Sequence, residues 1–422
     1  MTPIYSHIAY QSIEISAPLA TQRKIMMNNL VWRKLVILMI HFHLIHQGKS
    51  FVMPTSHSSK SELSPLQASS QLTQPQEGQY WTWNGHDIYT KVQGDNKTKL
   101  PAVLLIHGFG CSTTYWRSTS MALQSAGYQV HAIDLLGQGR SAKPADVYYS
   151  INLWAKLIDD YAAENISSGN GVVLMGNSLG SLVALAAATG DHTQGGDTSL
   201  TNRVMGVCMY NCGVGLNSRN IIKDAQWNPL QRLLLNSLFD VLNVLIFNNR
   251  LLLSYVLENV VTKDLLRDTL QSLYKHDPSR VDDELVDSFY FPAKDAGAVD
   301  AFMQIYTNDA GSTPMELHEK YDEMLAEYGA SGRPLPIHLV WGDDDAVTPL
   351  EGSVGQFYKK LAEDGTATGV SLDVVGSGHV PFDDNPVESN ASMLKWVQGL
   401  GQGQTRDFVF PAFFDFSGLL SR

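Results

Sequence analysis

Residues 172–181 read VVLMGNSLGS and decide the fold. An apolar run typical of a buried strand ends at Gly176, and an apolar, alanine-rich helix pattern begins after Ser178. A Gly-x-Ser-x-Gly pattern between a strand and a helix predicts a sharp turn that presents Ser178 as a nucleophile. Residues larger than glycine at Gly176 or Gly180 would clash with neighbouring backbone in such a turn. The alternative is an ordinary serine in a loop of small residues.

Working outward from this stretch, strands alternate with helices from about Trp81 onward. Two short strands meet at an Asn84–Gly85 turn, and buried strands follow in PAVLLI, YQVHAID, VVLMGN, VMGVCMYN, PIHLVWG and VSLDVV. This alternation predicts an α/β fold with a mostly parallel eight-stranded sheet flanked by helices. The long stretch between Cys212 and Pro334 has no strand pattern and is rich in leucine. A helical cap inserted after strand six is therefore predicted.

A serine hydroxyl needs a general base before it can act as a nucleophile. The candidate base is His379 in VVGSGHVPFDDNP, which follows the last predicted strand and precedes the last helix. A loop at that position can reach over the sheet edge to Ser178. The other candidate is His107 in IHGFG, but it follows an earlier strand. We expect His107 to organise its own loop.

The imidazole in turn needs a carboxylate that orients it. The sequence WGDDDAVTP offers three acids directly after a buried strand: Asp343, Asp344 and Asp345. A run of three acids is also ordinary in a solvated turn, and at least two of the three are expected to be of that kind. The chain order Ser–Asp–His agrees with the order expected for a serine nucleophile at such a turn.

An attacked carbonyl develops negative charge that two backbone amides can stabilise. One amide is expected from Leu179, the residue after the nucleophile, and the other from Phe109 in the loop HGFG. Gly108 and Gly110 would let that loop approach a substrate, although they also suit a plain tight turn.

Composition excludes several other classes of function. The net charge of −12 argues against nucleic acid as a partner. An odd, small number of cysteines does not form a disulfide framework: Cys111, Cys208 and Cys212. The chain has neither a CxxC nor an HExxH pattern, so neither a metal nor another cofactor is expected.

Residues 1–75 are predicted to be a targeting presequence and a disordered linker. After Arg33 and Lys34 comes an apolar run that is too short to span a bilayer and that suits a signal peptide. A segment rich in Ser, Thr and Gln follows, with Phe51 at its start. This combination resembles the bipartite presequences of algae with secondary plastids, which implies a chloroplast location. Secretion or an endomembrane location, with a signal anchor and a linker, is the alternative.

With these residues in hand, the chain from about Trp81 to Leu400 resembles the α/β-hydrolase superfamily. The motifs HGFG, DLLGQGRS, GNSLG, WGDDDAVTP and GSGHVPFDD occur in the family's order. The resemblance is greatest to plastid α/β-hydrolases of the pheophytinase and chlorophyll dephytylase group. In that group the acid is the fifth residue of WGxxDxxTP, which implies Asp345 as the partner of His379. Ser181 departs from the family pattern, since many members have a second glycine there.

The resemblance implies a serine hydrolase that cleaves a carboxylic ester through Ser178, Asp345 and His379. Haloalkane dehalogenases and epoxide hydrolases of this fold use aspartate at the nucleophile position, whereas this chain has Ser178. The alternatives are a C–C bond hydrolase, a cofactor-free haloperoxidase and a non-enzymatic ligand-binding protein. The C–C bond hydrolases and haloperoxidases of this fold also use serine, whereas a non-enzymatic binding protein would differ from the hydrolase in its labelling by a fluorophosphonate probe.

We divide the chain into the presequence, a core of 76–212 and 335–400, a cap of 213–334 and an aromatic tail of 401–422. The cap is rich in large apolar residues: Leu233, Leu234, Leu235, Phe239, Leu242, Leu245 and Phe247. Residues at such spacings usually pack in a core, and the alternative is that they contact lipid. Together with the chloroplast prediction, the cap favours an apolar phytyl or lipid ester as substrate and raises peripheral membrane contact as a possibility.

Overall fold

The computed structural model describes residues 78–400 except 168, 170, 194–199, 218, 221–227, 328–333 and 365–368. The predicted presequence of 1–75 and the aromatic tail of 401–422 lie outside the described residues. The strands are β1 (Gln79–Trp83), β2 (His86–Gln93), β3 (Ala102–Ile106), β4 (Val130–Ile133), β5 (Val172–Asn177), β6 (Val204–Tyr210), β7 (Ile337–Gly342) and β8 (Val370–Val375).

Helices surround this sheet and fill the segment between β6 and β7. The helices of the core are α1 (Arg117–Ser125), α2 (Ile151–Asn165), α3 (Leu179–Thr189), α10 (Ser353–Glu363), α11 (Pro381–Asp384) and α12 (Pro386–Leu400). The helices between β6 and β7 are α4 (Pro229–Leu242), α5 (Arg250–Tyr255), α6 (Lys263–Leu273), α7 (Asp283–Tyr290), α8 (Ala298–Thr307) and α9 (Pro314–Glu327).

All eight strands belong to one sheet with the order β1-β2-β4-β3-β5-β6-β7-β8. The pairs β1–β2 and β2–β4 are antiparallel, and the other five pairs are parallel. The register Trp83↔His86 leaves the predicted two-residue turn between β1 and β2. The predicted mostly parallel eight-stranded sheet is therefore confirmed, and so is a helical cap inserted after strand six.

Burial explains why the central strands have continuous apolar sequences rather than alternating ones. Every residue of β3, β5 and β7 is buried, because helices cover both faces of a parallel sheet. The apolar helix α3 is buried along its whole length and packs on β5 and β6. This burial fixes the carboxyl end of β5, where a ligand site is expected in an open α/β sheet.

One helix begins differently from the sequence prediction. The pattern TTYWRSTSMALQSAG predicts a single helix, but the chain first forms a 3₁₀ turn over Thr113–Trp116 and only then α1. The side chain of Ser112 accepts a hydrogen bond from the amide of Thr114 and so caps the turn. The tighter turn buries Tyr115 and Trp116 against the sheet.

Candidate active site

The candidate nucleophile lies at a sharp turn between β5 and α3. Ser178 has φ 53° and ψ −118°, a conformation that non-glycine residues rarely adopt. A Cβ atom at Gly176 would lie 2.2 Å from the carbonyl oxygen of Gly180, and one at Gly180 would lie 2.2 Å from the carbonyl oxygen of Ile106. Both flanking glycines are thus required by close backbone approach, as the sequence predicted.

Neighbouring strands hold this strained turn in place. The amide of Ser178 donates to the carbonyl of Tyr210 at 2.9 Å, and its own carbonyl accepts from the amide of Gly213 at 3.0 Å. Ser181, the departure from the family pattern, is fully buried and donates from Oγ to the carbonyl of Gly176 at 2.8 Å. The additional hydroxyl therefore has a partner and adds a bond across the turn.

A histidine–carboxylate pair lies at the same edge of the sheet. His379 Nδ1 is 2.9 Å from Asp345 Oδ2, and both residues are buried. Asp343 and Asp344 are exposed, so the structure brings only Asp345 of the three acids to His379. Among the described residues, Ser178 forms no side-chain hydrogen bond to His379. Such bonds are commonly long without substrate and shorten when it binds.

Five donors converge on the carboxylate of Asp345. Oδ1 accepts from the amides of Val347 at 2.7 Å and Thr348 at 3.1 Å. Oδ2 accepts from Asn211 Nδ2, from Thr348 Oγ1 and from His379 Nδ1. Burial by itself raises the pKa of Asp345, but the nearby His379 and these hydrogen bonds outweigh it and lower the pKa to about 2. The carboxylate is therefore ionised at neutral pH and keeps the Nδ1 proton of His379.

The loop after β3 and the first amide of α3 form the candidate oxyanion site. The amide of Gly108 donates to Tyr115 Oη at 2.6 Å, and that of Gly110 donates to Gln138 Oε1 at 2.7 Å. Within the described chain, the amides of Phe109 and Leu179 donate to no protein acceptor. The two amides predicted from sequence are thus free to bind an oxyanion, while their neighbours in the loop are engaged.

His107 does not approach the pair of His379 and Asp345. It is fully buried, and its Nδ1 lies 2.7 Å from the carbonyl of Gly108 while its Nε2 accepts from the amide of Leu135 at 2.9 Å. Burial lowers the pKa of His107, so the ring is neutral and bridges two loops. The expectation that it organises its own loop agrees with these contacts.

Two asparagines that sequence reasoning left without a role connect the parts of the site. Asn177 donates from Nδ2 to the carbonyls of Tyr210 at 3.1 Å and His379 at 3.2 Å, and its Oδ1 accepts from Tyr115 Oη at 3.2 Å. Asn211 has φ 45° and bonds both Asp345 and the amide of Gly342. Asn177 is the last residue of β5, and Asn211 directly follows the end of β6. This position at a strand end is the only sequence signal for either residue.

The loop that carries His379 is fixed from the cap side. Asp384 is fully buried and accepts hydrogen bonds from Ser377 Oγ and the amide of Gly378, both at 2.8 Å. It also accepts from three consecutive cap amides, those of residues 275–277, at 2.8–3.1 Å. The amide of His379 donates to the carbonyl of Leu273 at 3.2 Å. The base loop is therefore attached to the segment after α6.

Aromatic side chains of the cap cover the oxyanion loop. The ring of Phe109 lies 5.8 Å from that of Phe302 and 5.4 Å from that of Tyr306, measured between centroids. Tyr306 stacks at 4.6 Å on Phe247, which is buried. This aromatic column makes one wall next to the candidate nucleophile apolar. The described residues contain no cluster of three or more His, Cys, Asp or Glu that could hold a metal.

Comparison with known proteins agrees with this geometry. Residues 103–391 match the model of the alpha/beta hydrolase family, and the chain belongs to that family. A probable lysophospholipase, BODYGUARD 3 of Arabidopsis thaliana, is 34% identical over 109 residues, which are 24% of this chain and 21% of that protein. An epoxide hydrolase of Caballeronia sordidicola is 38% identical over 107 residues, which are 25% of this chain and 30% of that protein.

The chain thus spans less than a third of the length of these curated relatives. Among solved structures, a membrane phospholipase A matches with a TM-score of 0.50 at 20% identity, covering 78% of this chain and 87% of that one. At this identity the likeness concerns the fold. The comparisons establish a hydrolase family and a relation to plant hydrolases, which the sequence resemblance predicted.

Proposed function

We propose that the protein is a serine hydrolase that cleaves carboxylic esters of apolar alcohols or acids. The observation that carries the proposal is the meeting of three features at one sheet edge. These are a serine with positive φ, a buried histidine–carboxylate pair and two unengaged amides. This combination has the parts that acyl transfer needs: nucleophile, base, orienting acid and oxyanion donors.

In the first half of the proposed reaction, His379 Nε2 takes the proton of Ser178 Oγ as the oxygen attacks the ester carbonyl. The amides of Phe109 and Leu179 donate to the resulting oxyanion. Asp345 holds the Nδ1 proton and stabilises the imidazolium that forms. Collapse of the tetrahedral intermediate breaks the ester C–O bond, and the imidazolium gives its proton to the leaving alcohol.

In the second half, water attacks the acyl-enzyme. His379 accepts a proton from that water, the same two amides stabilise the second oxyanion, and Ser178 leaves with the proton returned by His379. With the ester and one water as reactants, the side chains and amides named here balance both halves, and the products are an alcohol and a carboxylic acid.

The residue at the turn favours ester cleavage over epoxide opening. Epoxide hydrolases of this fold use a carboxylate nucleophile, and this chain has Ser178. The aromatic column beside the site favours an apolar substrate, since burying such a substrate against Phe302 and Tyr306 removes apolar surface from water. The name probable lysophospholipase of the Arabidopsis relative also favours a lipid ester.

The test is a substrate screen with the purified protein and with Ser178→Ala. We expect hydrolysis of long-chain esters, including galactolipid, pheophytin or chlorophyll esters, to exceed that of short acyl esters, and the variant to be inactive. A wild type that hydrolyses none of these esters, or a variant as active as wild type, contradicts the proposal. Binding of such esters without turnover by the wild type would indicate a ligand-binding protein instead.

We propose further that the protein acts in a plastid, on the strength of the presequence pattern in residues 1–75. Fusion of residues 27–75 to a fluorescent protein tests this in an alga with secondary plastids. The proposal expects fluorescence that coincides with chlorophyll. Secretion of the fusion, or retention in the endomembrane system, would contradict it.

A further inference from the structure

The cap exposes a continuous apolar face that the mechanism does not use. On α4 and the π-helix that follows it (Asn243–Phe247), five large apolar side chains are each 51–65% exposed: Leu230, Leu233, Leu234, Val241 and Leu245. Four of them follow the spacing i, i+4, i+11, i+15, which aligns them along one side of a helix. We call these five residues the cap leucine face. Of the apolar cap residues singled out from the sequence, Leu233, Leu234 and Leu245 are exposed on this face, whereas Phe247 is buried as expected for core packing.

The helix that carries this face has the length and hydropathy of a membrane helix but not the topology of one. Within the described chain, Pro229–Phe247 is the one helical stretch of 19 residues with a mean hydropathy of 1.4, and 12% of it is buried. Yet β6 before it and β7 after it are paired in one sheet, with Val207 opposite Ile337. A single crossing of a bilayer would separate these paired strands. The helix can lie on a membrane surface but cannot span it.

The size of the face argues against a second copy of the chain as its occupant. A stable protein interface uses about 20–30 residues on each side. The face with its two exposed neighbours Leu251 and Tyr255 has seven large apolar residues. Binding to a lipid surface does not require a minimum number of interface residues. Each apolar side chain that enters the bilayer adds to the binding free energy without needing a complementary partner residue.

The charges around the face select the kind of lipid. Between Asn228 and Val260 the charged residues are Arg232, Asp240, Arg250 and Glu258, a net charge of zero in a chain of net charge −12. An anionic membrane would repel the protein as a whole, and this segment has no basic cluster to oppose that. The surface therefore fits a bilayer of neutral lipids, held by apolar insertion rather than by charge.

We propose that the cap leucine face docks on the surface of a bilayer of neutral lipids. The face is continuous with the candidate site, because the π-helix that presents Leu245 outward also places Phe247 inward against Tyr306 and, through it, Phe109. Where it concerns substrate, this inference rests on the proposed ester hydrolysis: an apolar ester would pass from the bilayer along the aromatic column to Ser178.

The test is flotation of the full-length protein with phosphatidylcholine vesicles. Three leucines are replaced together, Leu230→Gln, Leu234→Gln and Leu245→Gln, because glutamine retains the helix propensity of leucine. We expect the partition coefficient to fall at least about a hundredfold, given the apolar area each leucine would bury. Binding by the wild type should be the same at 0.15 M and 1 M salt. A matched control replaces exposed apolar residues outside the cap, Met121→Gln and Val387→Gln, and should bind like wild type.

A second measurement tests directly whether the cap leucine face contacts lipid, even if another segment of the chain also binds lipid. A fluorophore on Leu234→Cys should be quenched by brominated lipid, and one on Val387→Cys should not. The proposal is overturned if the triple variant binds as wild type, if both labels are quenched equally, or if the leucines instead hold a dimer in sedimentation equilibrium. Ser178→Ala should still bind vesicles. A wild type that binds vesicles but hydrolyses no ester would contradict the proposed hydrolysis and leave the docking intact.

Discussion

Replacing Asp345 by asparagine tests how the site controls the imidazole. The Oδ2 atom of Asp345 accepts from Asn211, Thr348 and His379, and an amide nitrogen in that position would face the amide nitrogen of Asn211, donor to donor. If the asparagine side chain rotates by 180°, its nitrogen takes the Oδ1 position and faces the amides of Val347 and Thr348, which are also donors. When the amide nitrogen of the variant occupies the Oδ2 position, it can only donate to His379 Nδ1. The ring proton of His379 is then on Nε2.

A proton on Nε2 removes the lone pair that must accept the proton of Ser178. Loss of the correct tautomer in a Ser–His–Asp site lowers kcat by about 10⁴, or about 5.5 kcal/mol in activation free energy. Each buried donor left without an acceptor costs about 1–3 kcal/mol of stability. Asp345→Asn should therefore lose nearly all activity and a part of its folding free energy.

The assay is hydrolysis of a chromogenic ester, with kcat measured only on protein that circular dichroism shows to be folded. Asp343→Asn is the matched control, because that exposed side chain accepts one hydrogen bond, from the amide of Ser377 at 3.0 Å. We expect this control to stay within about threefold of wild type, as surface changes usually do. The reasoning is refuted if Asp345→Asn keeps more than a tenth of the activity, or if Asp343→Asn is the more damaged of the two.

Three further predictions concern burial and close packing. Burial lowers the pKa of His131 and His338 from 6.5 to about 4, so the unfolded chain binds more protons between these values. Urea titrations should show the free energy of unfolding falling by about 1 kcal/mol per histidine for each pH unit below 6.5, with a smaller slope in His338→Gln. Gly176→Ala, whose Cβ would lie 2.2 Å from a backbone oxygen, should yield little folded protein, whereas Gly169→Ala, with open space around it, should melt like wild type. Burial raises the pKa of Cys208 to about 12, so a thiol reagent at pH 8 should label this residue only after denaturation, as peptide mapping can check.

The parts of the site that could be predicted from the sequence are those with a local signature. The turn around Ser178 is visible because two glycines, a buried strand and an apolar helix all constrain one short stretch. His379 and Asp345 follow strands whose apolar pattern gives their position at the sheet edge. The serine turn and the base need only the order of elements and the steric demands of the backbone, which a single sequence contains. The choice of Asp345 over Asp343 and Asp344 needed the family resemblance.

The connections between these parts had no such signature. Asn177 joins the serine turn to the base loop, and Asn211 joins strand β6 to the acid, but an asparagine after a strand is common in any turn. The long-range contact of Asp384 with cap residues depends on how the insertion folds back over the core. For the apolar cap residues the sequence left core packing and lipid contact as alternatives, because helical spacing alone does not say whether an apolar stripe faces the core or solvent.

The most direct test of the central claim is covalent labelling of Ser178. The protein is treated with a fluorophosphonate at neutral pH, digested and mapped by mass spectrometry beside Ser178→Ala. We expect one adduct per chain, on Ser178, formed in the native wild type and lost both in the variant and after unfolding. A wild type that stays unlabelled, or an adduct that forms equally in Ser178→Ala, would contradict the assignment of this serine as the nucleophile.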